Sequence, residues 1–487
     1  MASKFKPLSS FENEKDYTFL PFKFSHLQDD VYFLSNDFGE WITLKNEEFR
    51  DFYNKKLKLN SDIYYRLKSK NFLTDSTSTV NIELLASKYR TKNNFLESFS
   101  KLHIFVLTLR CNNTCIYCQA SRKSITADCQ TYDMHEDVLE HNVELFLSMP
   151  STHLTLEFQG GESTLNMGLV RRAIELVNIK NKTKYINYVI CTNLCDINTA
   201  DLSFLLENNV SISTSLDGPK FIHDENRRFG KFSAYDSLVE NLNSIKDKIG
   251  IENVSALMTT TVNSLNYPCE IIDEYVSLGF RNIFIRELNP YGFAKKYFHK
   301  IGYSTEDFLS FYKKCFDYII SLNKQGVSFQ ESYAGLILKK LLTPWSTGFV
   351  DLQSPCGAGF GVTLYNYDGN IYPSDESRMM AETGDKYFKM GNVRENSYEE
   401  IFFGDTMQLL ASAGVNDALP VCSDCAYSPF CGADPVRRYQ TTGSIFGHPG
   451  NDDFCVKNRE IIKFIIQRYL YSDGETQRIM RSWGTSL

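Results

Sequence analysis

Between residues 100 and 290, short apolar runs alternate with longer stretches in which apolar positions recur at helical spacing. The short runs predict strands and the longer ones predict helices, an alternation typical of βαβ units and a parallel sheet. Strands are predicted at 103–109, 153–158, 188–191, 211–215, 254–261 and 282–287, and helices near 134–148, 166–180, 199–207, 232–247 and 267–278. Six such units favour an α/β fold with a partial (β/α)6 barrel of the TIM type, whose active site lies at the C-terminal ends of the strands.

The pattern changes on both sides of this unit. On the N-terminal side it predicts two strands, two short helices and a polar hinge, at Val31–Ser35, Trp41–Leu44, 46–56, 60–70 and 75–79. On the C-terminal side a helical pattern at 304–342 precedes a loop-rich region with clustered cysteines, as in domains that fold around metal. We therefore expect four parts: a small α+β module, the barrel, a helical linker and a cysteine-cluster domain, at 1–95, 96–300, 301–349 and 350–487.

Composition narrows the class of protein. The 487 residues are 43% hydrophobic and 23% charged, an ordinary globular balance, and the net charge of −7 gives no broad footprint for nucleic acid. No apolar run approaches a membrane span, and Met1–Phe24 lacks the pattern of a signal peptide, so we expect a cytoplasmic protein without nucleic acid or membrane as a partner. In the reducing cytosol, thirteen cysteines indicate metal or catalysis rather than disulfides.

The first cysteine group follows the first predicted strand directly. It consists of three thiols separated by three and then two residues: Cys111, Cys115 and Cys118. Cysteine thiolates are the usual ligands of [4Fe–4S] clusters, and three ligands leave one iron open to the amino and carboxylate groups of a methionine derivative. The alternative, a structural zinc site, needs four ligands in closed geometry, and Cys129, His103 and His135 have no ligand-like spacing.

The pattern Cys-x3-Cys-x-aromatic-Cys after a first strand resembles the signature of the radical S-adenosylmethionine (SAM) superfamily. The resemblance implies a SAM-binding [4Fe–4S] cluster on these three cysteines and a cofactor site formed by Tyr117, Gly160, Gly161, Glu162, Asn193, Ser215 and Arg227. In it, Glu162 would hold the amino group of SAM through a charge-assisted hydrogen bond. The planar guanidinium of Arg227 would hold the carboxylate, with Arg228 as the alternative, and solvated surface charges are the simpler interpretation of both.

The second cysteine group lies near the C-terminus and has four members: Cys422, Cys425, Cys431 and Cys455. Four thiolates suffice for zinc or for a [4Fe–4S] cluster. The group resembles the SPASM domain of peptide-modifying radical SAM enzymes, which usually carries two auxiliary clusters. Only Cys356 matches the other cluster, because Val362, Ser374 and Pro435 stand where its remaining cysteines would be. The resemblance therefore implies two [4Fe–4S] clusters in total, and leaves Cys356 as a free thiol, a core residue or a substrate-facing group.

Asp375 is the candidate catalytic residue. The stretch Tyr372–Asp375 resembles the one in which sulfatase-maturing relatives place a catalytic aspartate, and a carboxylate there could accept a proton as a substrate radical is oxidised. Ordinary turn chemistry is the alternative. We expect the remaining cysteines to pack as small buried hydrophobes, at 129, 191, 195, 269 and 315.

The whole chain most resembles the maturases of the His-Xaa-Ser peptide system, through Cys118–Arg122, Asn289–Ala294 and Cys431–Val436. The resemblance implies an enzyme that reductively cleaves SAM to a 5′-deoxyadenosyl radical and modifies residues of a ribosomally made peptide or protein. It also implies a one-electron reductant of the flavodoxin or ferredoxin type, and a second radical SAM protein, as partners.

Three alternatives remain open. The N-terminal module resembles peptide-recognition elements that bind a leader by strand addition, or is a structural extension of the barrel. The runner-up activity is that of a formylglycine-generating sulfatase maturase, favoured by Asp375. A non-catalytic iron–sulfur binding or regulatory protein is the alternative of another class.

Overall fold

The computed structural model describes residues 16–75, 80–448, 450 and 452–485. Residues 1–15, which belong to the segment expected to lack a signal peptide, and 76–79 of the candidate hinge lie outside the described residues. No helix in the described ranges has the length and apolar character needed to cross a membrane.

The N-terminal module is a small antiparallel sheet backed by helices. Leu34, Ile42 and Leu44 project from the strands into a core that Phe52 and Tyr64 of the helices complete. Its strands are β1 Thr18–Phe19, β2 Lys23–Gln28, β3 Val31–Ser35, β4 Trp41–Lys45 and β5 Leu73–Thr74, and its helices are α1 Asn46–Tyr53, α2 Asp62–Ser69 and α3 Val80–Lys92. The two strands and two short helices predicted here are confirmed.

The central unit follows the predicted alternation of strands and helices. Its strands are β6 Leu102–Thr108, β7 Arg110–Cys111, β8 Thr114–Cys115, β9 Lys123–Ser124, β10 His153–Gly160, β11 Tyr185–Cys191, β12 Val210–Ser215, β13 Arg227–Arg228, β14 Val254–Leu257 and β15 Asn282–Ile283. Its helices are α4 Cys129–Tyr132, α5 Glu136–Ser148, α6 Met167–Lys180, α7 Thr199–Glu207, α8 Lys220–Asn226, α9 Ala234–Ile249 and α10 Pro268–Ser277. Strands β6, β10, β11, β12 and β14 lie side by side in chain order, and all are parallel. The expected α/β partial barrel is thus confirmed for its first five strands.

The sixth predicted strand behaves differently. Only Asn282–Ile283 is a strand, and it pairs with Gln330–Glu331 instead of joining β14. The segment after it finds other partners: Ile285 N donates to the Glu331 carboxylate at 3.3 Å, and Arg286 O accepts one bond from Thr260 N at 3.1 Å. Because these groups are satisfied elsewhere, the sheet stays open on this side.

The C-terminal part is more regular than the loop-rich domain predicted for it. Its helices are α11 Gly292–Ile301, α12 Thr305–Lys324, α13 Ser332–Leu342, α14 Asp375–Ala381, α15 Tyr398–Phe403, α16 Asp405–Ala413, α17 Pro435–Thr442, α18 Asp453–Tyr471 and α19 Gly474–Thr485, and its strands are β16 Gln330–Glu331, β17 Val362–Tyr365, β18 Asn370–Tyr372 and β19 Gly391–Asn392. Apolar residues of α16 and α18, such as Leu410 and Ile461, pack into the same core as the barrel, so this region does not depend on metal alone for its interior.

The C-terminal part is also continuous with the central sheet. Strand β17 pairs in parallel with the free edge of β6, Val362 opposite Leu102, and β18 and β19 extend the sheet to eight strands. The N-terminal module packs on the same region, where the Ser35 hydroxyl donates to Ala426 O at 2.6 Å. The cysteine-bearing loops of the barrel and of the C-terminal part are therefore held by one body of structure.

Candidate active site with two thiol clusters

The first three cysteines lie on the loop that follows β6, and each is held by a different backbone contact. Cys111 ends β7, which pairs with β9, and Cys115 ends β8, which pairs with Arg227 of β13. The carbonyl of Cys118 accepts a hydrogen bond from Phe293 N at 2.8 Å. The loop is thus tied to three separate segments before any cofactor is bound.

All three thiols line one cavity at the C-terminal ends of the parallel strands. Every residue that the sequence assigned to the SAM site lines the same cavity: Tyr117, Gly160, Gly161, Glu162, Asn193, Ser215 and Arg227. Burial raises the pKa of the Cys115 thiol to about 12, so the free thiol is protonated at neutral pH and metal loading releases protons. The structure brings together the three cysteines and the seven residues predicted to bind SAM. Their roles in binding the cluster and SAM stay a prediction.

The two glycines of the Gly-Gly-Glu segment are required by a close contact between backbones. A Cβ at Gly160 would lie 2.3 Å from Thr108 O, and one at Gly161 would lie 2.4 Å from Arg110 O and 2.5 Å from Leu109 O. The approach is fixed by two hydrogen bonds, Gly161 N to Thr108 O at 2.7 Å and Glu162 N to Arg110 O at 2.9 Å. The glycines therefore allow the end of β10 to pack directly against the start of the cysteine loop.

Glu162 is a buried carboxylate, 1% exposed, whose position is fixed by three hydrogen bonds. It accepts from Asn193 N at 2.8 Å, from Thr164 N at 3.1 Å and from the Thr164 hydroxyl at 2.8 Å. Burial raises the pKa of Glu162, and these donors oppose the shift. A carboxylate held in this way at the wall of the cavity suits a cationic ligand group.

Asp217 is a site residue that the sequence reasoning did not select. Its Oδ2 accepts from the Tyr117 hydroxyl at 2.6 Å, from Arg227 Nε at 3.2 Å and from Asn226 Nδ2 at 3.2 Å, and its Oδ1 accepts from Thr259 N at 3.2 Å. The side chain is fully buried. Asp217 thus joins the cysteine loop to the candidate carboxylate-binding arginine, and its place in the polar segment that follows β12 was the only sequence signal for it.

The two candidate arginines have different environments. Arg227 is 8% exposed, lines the cavity and lies with its guanidinium 5.2 Å from the centre of the Tyr117 ring. Arg228 is exposed to solvent and does not line the cavity. The geometry favours Arg227 over Arg228 and over a pair of solvated surface charges.

The four C-terminal cysteines line a second cavity. The wall of this cavity includes Arg438, which is 2% exposed and has its Nη2 4.0 Å from Cys422 Sγ. The Nε and Nη1 of Arg438 have no hydrogen-bond partner in the described residues, although the Asp452 carboxylate lies 3.5 Å from Nε. A buried cation with free donors beside four thiols fits a negatively charged four-thiolate cluster.

The first cavity passes a similar test for a polar ligand. Arg122 Nε and Asn113 Oδ1 are buried, belong to residues that line the cavity, and have no hydrogen-bond partner in the part of the chain that the structure describes. In that same part, no group of three or more His, Cys, Asp or Glu side chains is arranged to hold a metal ion as it stands. The fit of both thiol groups rests on their shared cavities and on these free donors and acceptors.

Two positions expected to bind the other auxiliary cluster, Cys356 and Ser374, have structural roles. Cys356 is 1% exposed and packs in a small core with Leu419 and Ala433, so the geometry supports its interpretation as a core residue. Its sulfur fills the space that a Cβ at Gly414 would need, at 2.5 Å. The Ser374 hydroxyl caps α14 by accepting from Ser377 N at 3.3 Å.

Asp375 is the first residue of α14 and is held by an ion pair. Its Oδ1 lies 2.7 Å from Nη2 of the buried Arg378, whose Nη1 donates to Ala120 O on the cysteine loop at 2.9 Å. The side chain does not line the three-thiol cavity, although Met379 of the same helix does. The position therefore supports a role in fixing the loop at least as well as one in proton transfer.

Three of the remaining cysteines depart from the expected burial. Cys129 is exposed at the start of α4, and Cys269 is only partly buried. Cys191 is also partly buried, lines the three-thiol cavity and donates from Sγ to Glu157 Oε1 at 3.3 Å. The expectation of a buried packing residue is confirmed for Cys195 and Cys315, wrong for Cys129, and met only in part by Cys191 and Cys269.

The structure has an open parallel sheet whose first strand leads into three thiols and whose second strand ends in two glycines and a buried carboxylate. Four further thiols lie in the C-terminal part. This combination is typical of a class of iron–sulfur enzymes. Residues 105–274 match the radical SAM superfamily, and residues 356–426 match the iron–sulfur cluster-binding SPASM domain. The chain therefore contains a radical SAM domain and a SPASM domain, which indicate an enzyme whose cofactors are a [4Fe–4S] cluster, SAM and an auxiliary iron–sulfur cluster. The SPASM match includes Cys422 and Cys425 and ends before the other two thiols of that group.

Curated relatives agree with these domain matches, and solved structures show the same fold. The chain is 28% identical to a cysteine-type anaerobic sulfatase-maturating enzyme of Clostridium perfringens, over 60% of this chain and 77% of the relative, and 26% identical to that of Clostridium novyi, over 74% and 94%. Among solved structures, native anSMEcpe with bound AdoMet has a TM-score of 0.63 at 20% identity, covering 79% of this chain and 100% of the other. Streptococcus suis SuiB bound to its precursor peptide SuiA has a TM-score of 0.53 at 15% identity, covering 90% and 99%.

Proposed function

We propose that this radical SAM enzyme is a maturase that modifies residues of a ribosomally made peptide or protein by hydrogen abstraction. The observation that carries the proposal is the single cavity that joins the three thiols to Glu162, Asn193 and Arg227. When bound there, the reduced cluster and SAM supply a 5′-deoxyadenosyl radical that takes hydrogen from an unactivated carbon.

The residues of the chain position the reaction. Cys111, Cys115 and Cys118 would hold the cluster, and Glu162 and Arg227, which line the same cavity, would hold the amino and carboxylate groups of SAM. Asp217 fixes the positions of the Arg227 guanidinium and the Tyr117 side chain, because both donate hydrogen bonds to its carboxylate. Asp217 itself is fully buried and does not line the cavity, so it acts through the residues that it holds.

A peptide substrate is supported by the flanking parts of the chain. The sheet of the N-terminal module ends at β2, whose outer edge pairs with no other strand in the described residues, although Leu27 O of this strand accepts from Gln467 Nε2 at 3.3 Å. An unpaired strand edge can accept an added strand. The structural neighbours include anSMEcpe with a bound peptide and SuiB bound to the precursor peptide SuiA. These neighbours favour a peptide partner for this chain, with a one-electron reductant and a second radical SAM protein as further proposed partners.

Two substrate types are candidates. The His-Xaa-Ser resemblance favours a small His-Xaa-Ser repeat protein, and Val362, Ser374 and Pro435, which stand where the other auxiliary cluster would need cysteines, weigh against a sulfatase maturase. The 26–28% identity to cysteine-type sulfatase-maturating enzymes favours a formylglycine-generating activity on a sulfatase. Asp375 is held in an ion pair with Arg378 and does not line the three-thiol cavity, which weighs against the second candidate.

The test begins with SAM cleavage. Anaerobically reconstituted protein, reduced with dithionite, should release 5′-deoxyadenosine, and the triple variant Cys111→Ala/Cys115→Ala/Cys118→Ala should release none. A His-Xaa-Ser repeat peptide and a sulfatase peptide with Cys or Ser are then offered in parallel and analysed by mass spectrometry. Aldehyde formation on the sulfatase peptide supports the second candidate, and SAM cleavage with no change in either peptide would refute both substrate assignments.

A further inference from the structure

A further pocket, distinct from both thiol-lined cavities, lies between the barrel and the C-terminal part, and two segments of the His-Xaa-Ser resemblance meet in it. Tyr291 comes from the segment 289–294 and Asp434 from the segment 431–436, and both line the pocket together with Asp351 and Glu376. Neither the proposed cofactor site nor the auxiliary-cluster site uses these four residues. These four side chains therefore have no role in either of the two sites described above.

The pocket adjoins both thiol sites. Glu376 lines it from α14, and Met379 of the same helix lines the three-thiol cavity. Phe454 lines both this pocket and the four-thiol cavity. A group bound in the pocket would therefore lie between the site where a radical forms and the auxiliary cluster.

Two of the three cations that line the pocket are already engaged in ion pairs. Lys457 Nζ and Arg437 Nη1 each lie 2.5 Å from Glu287 Oε1, so these two positive charges share one carboxylate. The Arg286 guanidinium lies 5.5 Å from the centre of the Phe284 ring, a cation–π distance. None of the three makes an ion pair with Asp351 or Glu376 in the described residues.

Two of the carboxylates that line the pocket have no ion-pair or hydrogen-bond partner in the described residues. In the described ranges, the Asp351 and Glu376 carboxylates form no ion pair and accept no hydrogen bond from another residue, whereas Asp434 accepts from Arg437 N at 2.9 Å. The Tyr291 hydroxyl is also without a partner, although the residue is only 3% exposed. Burial, and then the neighbouring Asp351 carboxylate, raises the pKa of Glu376 to about 7. Carboxylates that crowd together in this way are relieved by a cation.

The aromatic lining of the pocket favours a cationic side chain over a metal ion as its ligand. Aromatic rings form much of its remaining wall: Phe284, Tyr333, Phe349 and Phe454. Such rings can cover the aliphatic stem of a long side chain, while the pocket's own cations already lie over Phe284 and Phe454. Resting on the proposed peptide substrate, we propose that this pocket binds a lysine, arginine or protonated histidine side chain of that peptide, with Asp351 and Glu376 on the charge and Tyr291 as a further hydrogen-bond partner.

Binding of small probes to the reconstituted holoenzyme tests this. The probes are N-acetyl-arginine amide and its neutral counterpart N-acetyl-citrulline amide, with dissociation constants measured by ligand-observed NMR. We expect the charged probe to bind at least about tenfold more tightly, since a charge-assisted hydrogen bond in a buried site contributes an effect of that size. Glu376→Gln should abolish the preference, and Tyr291→Phe should weaken binding of the charged probe.

Glu399→Gln is the matched control, because Glu399 is likewise the second residue of a helix but is exposed. Equal affinity for the two probes, or unchanged affinity in Glu376→Gln, would overturn the proposal. Glu376-dependent binding of Ca²⁺ without binding of the arginine probe would assign the pocket to a metal ion and overturn it too. Release of 5′-deoxyadenosine is measured in the same samples, so loss of the radical function is distinguished from loss of the cation site.

Discussion

The contact between Gly161 and the cysteine loop leads to a sharp prediction for Gly161→Ala. The new Cβ would lie 2.4 Å from Arg110 O and 2.5 Å from Leu109 O, whereas carbon atoms without strain stay about 3.5 Å or more from their neighbours. Both obstacles are backbone atoms, so no side chain can rotate away. The end of β10 and the start of the cysteine loop must separate by about 1 Å.

The size of the effect follows from what that separation breaks. The hydrogen bonds Gly161 N to Thr108 O and Glu162 N to Arg110 O each contribute about 0.5–1.5 kcal/mol, and overpacking adds about 1–3 kcal/mol. The total cost is about 2–6 kcal/mol, concentrated one residue before Cys111. We therefore expect Cys111 to lose its place beside the other two thiols, while the C-terminal thiols stay as they are.

The assay is the iron and sulfide content of anaerobically reconstituted protein, together with its melting temperature. Wild type should hold about eight irons in two four-iron clusters, and Gly161→Ala should fall toward about four and melt earlier. Gly168→Ala is the control, because no atom lies within 4 Å of a Cβ there and alanine is favoured over glycine in a helix. Full iron content and an unchanged melting temperature in Gly161→Ala would refute the reasoning.

Three further outcomes are expected. Asp217→Asn leaves the buried Arg227 charge unpaired and should cost about 3–5 kcal/mol in urea unfolding, while Asp236→Asn, in an exposed ion pair, should leave the unfolding curve unchanged; equal curves for the two variants would contradict this. Burial lowers the pKa of His103 to about 3, so its contribution to stability is present above pH 6.5 and decreases as the pH falls; wild type should lose about 2 kcal/mol more than His103→Gln between pH 7 and pH 5. Cys356→Ala should keep the full iron content, because this thiol packs in a core, and a loss of about four irons would show that it holds a cluster.

Site residues could be predicted from the sequence where they lie a few residues apart, because such a short spacing fixes their relative positions. Three cysteines within eight residues, directly after a buried strand, must lie at one strand end, and the C-terminal ends of neighbouring parallel strands meet at the same edge. Glu162 and Asn193 follow the second and third strands in the same way, and they reach the same cavity. Alternating patterns likewise predicted the first five strands of the sheet.

Asp217 illustrates what sequence could not supply. Its partners Tyr117 and Thr259 are 100 and 42 residues away along the chain, and only the folded sheet brings them within 3.2 Å of one carboxylate. The glycines near Glu162 are a related case, because the sequence shows that they are glycines but not which backbone approaches them. In both cases the decisive atom belongs to a distant segment with no pattern of its own.

The order of strands in the sheet changes how the two cysteine regions must be regarded. In chain order, the C-terminal part follows the barrel and would be expected to append to its end, but β17 pairs with β6, the strand that leads into Cys111. Arg378 then reaches Ala120 on the same loop, at 2.9 Å. A parallel edge strand left without its partner exposes unpaired backbone groups, which is unfavourable. The C-terminal part therefore supports the first thiol site as well as carrying the second, and the placement of the radical chemistry depends on the whole chain rather than on the barrel alone.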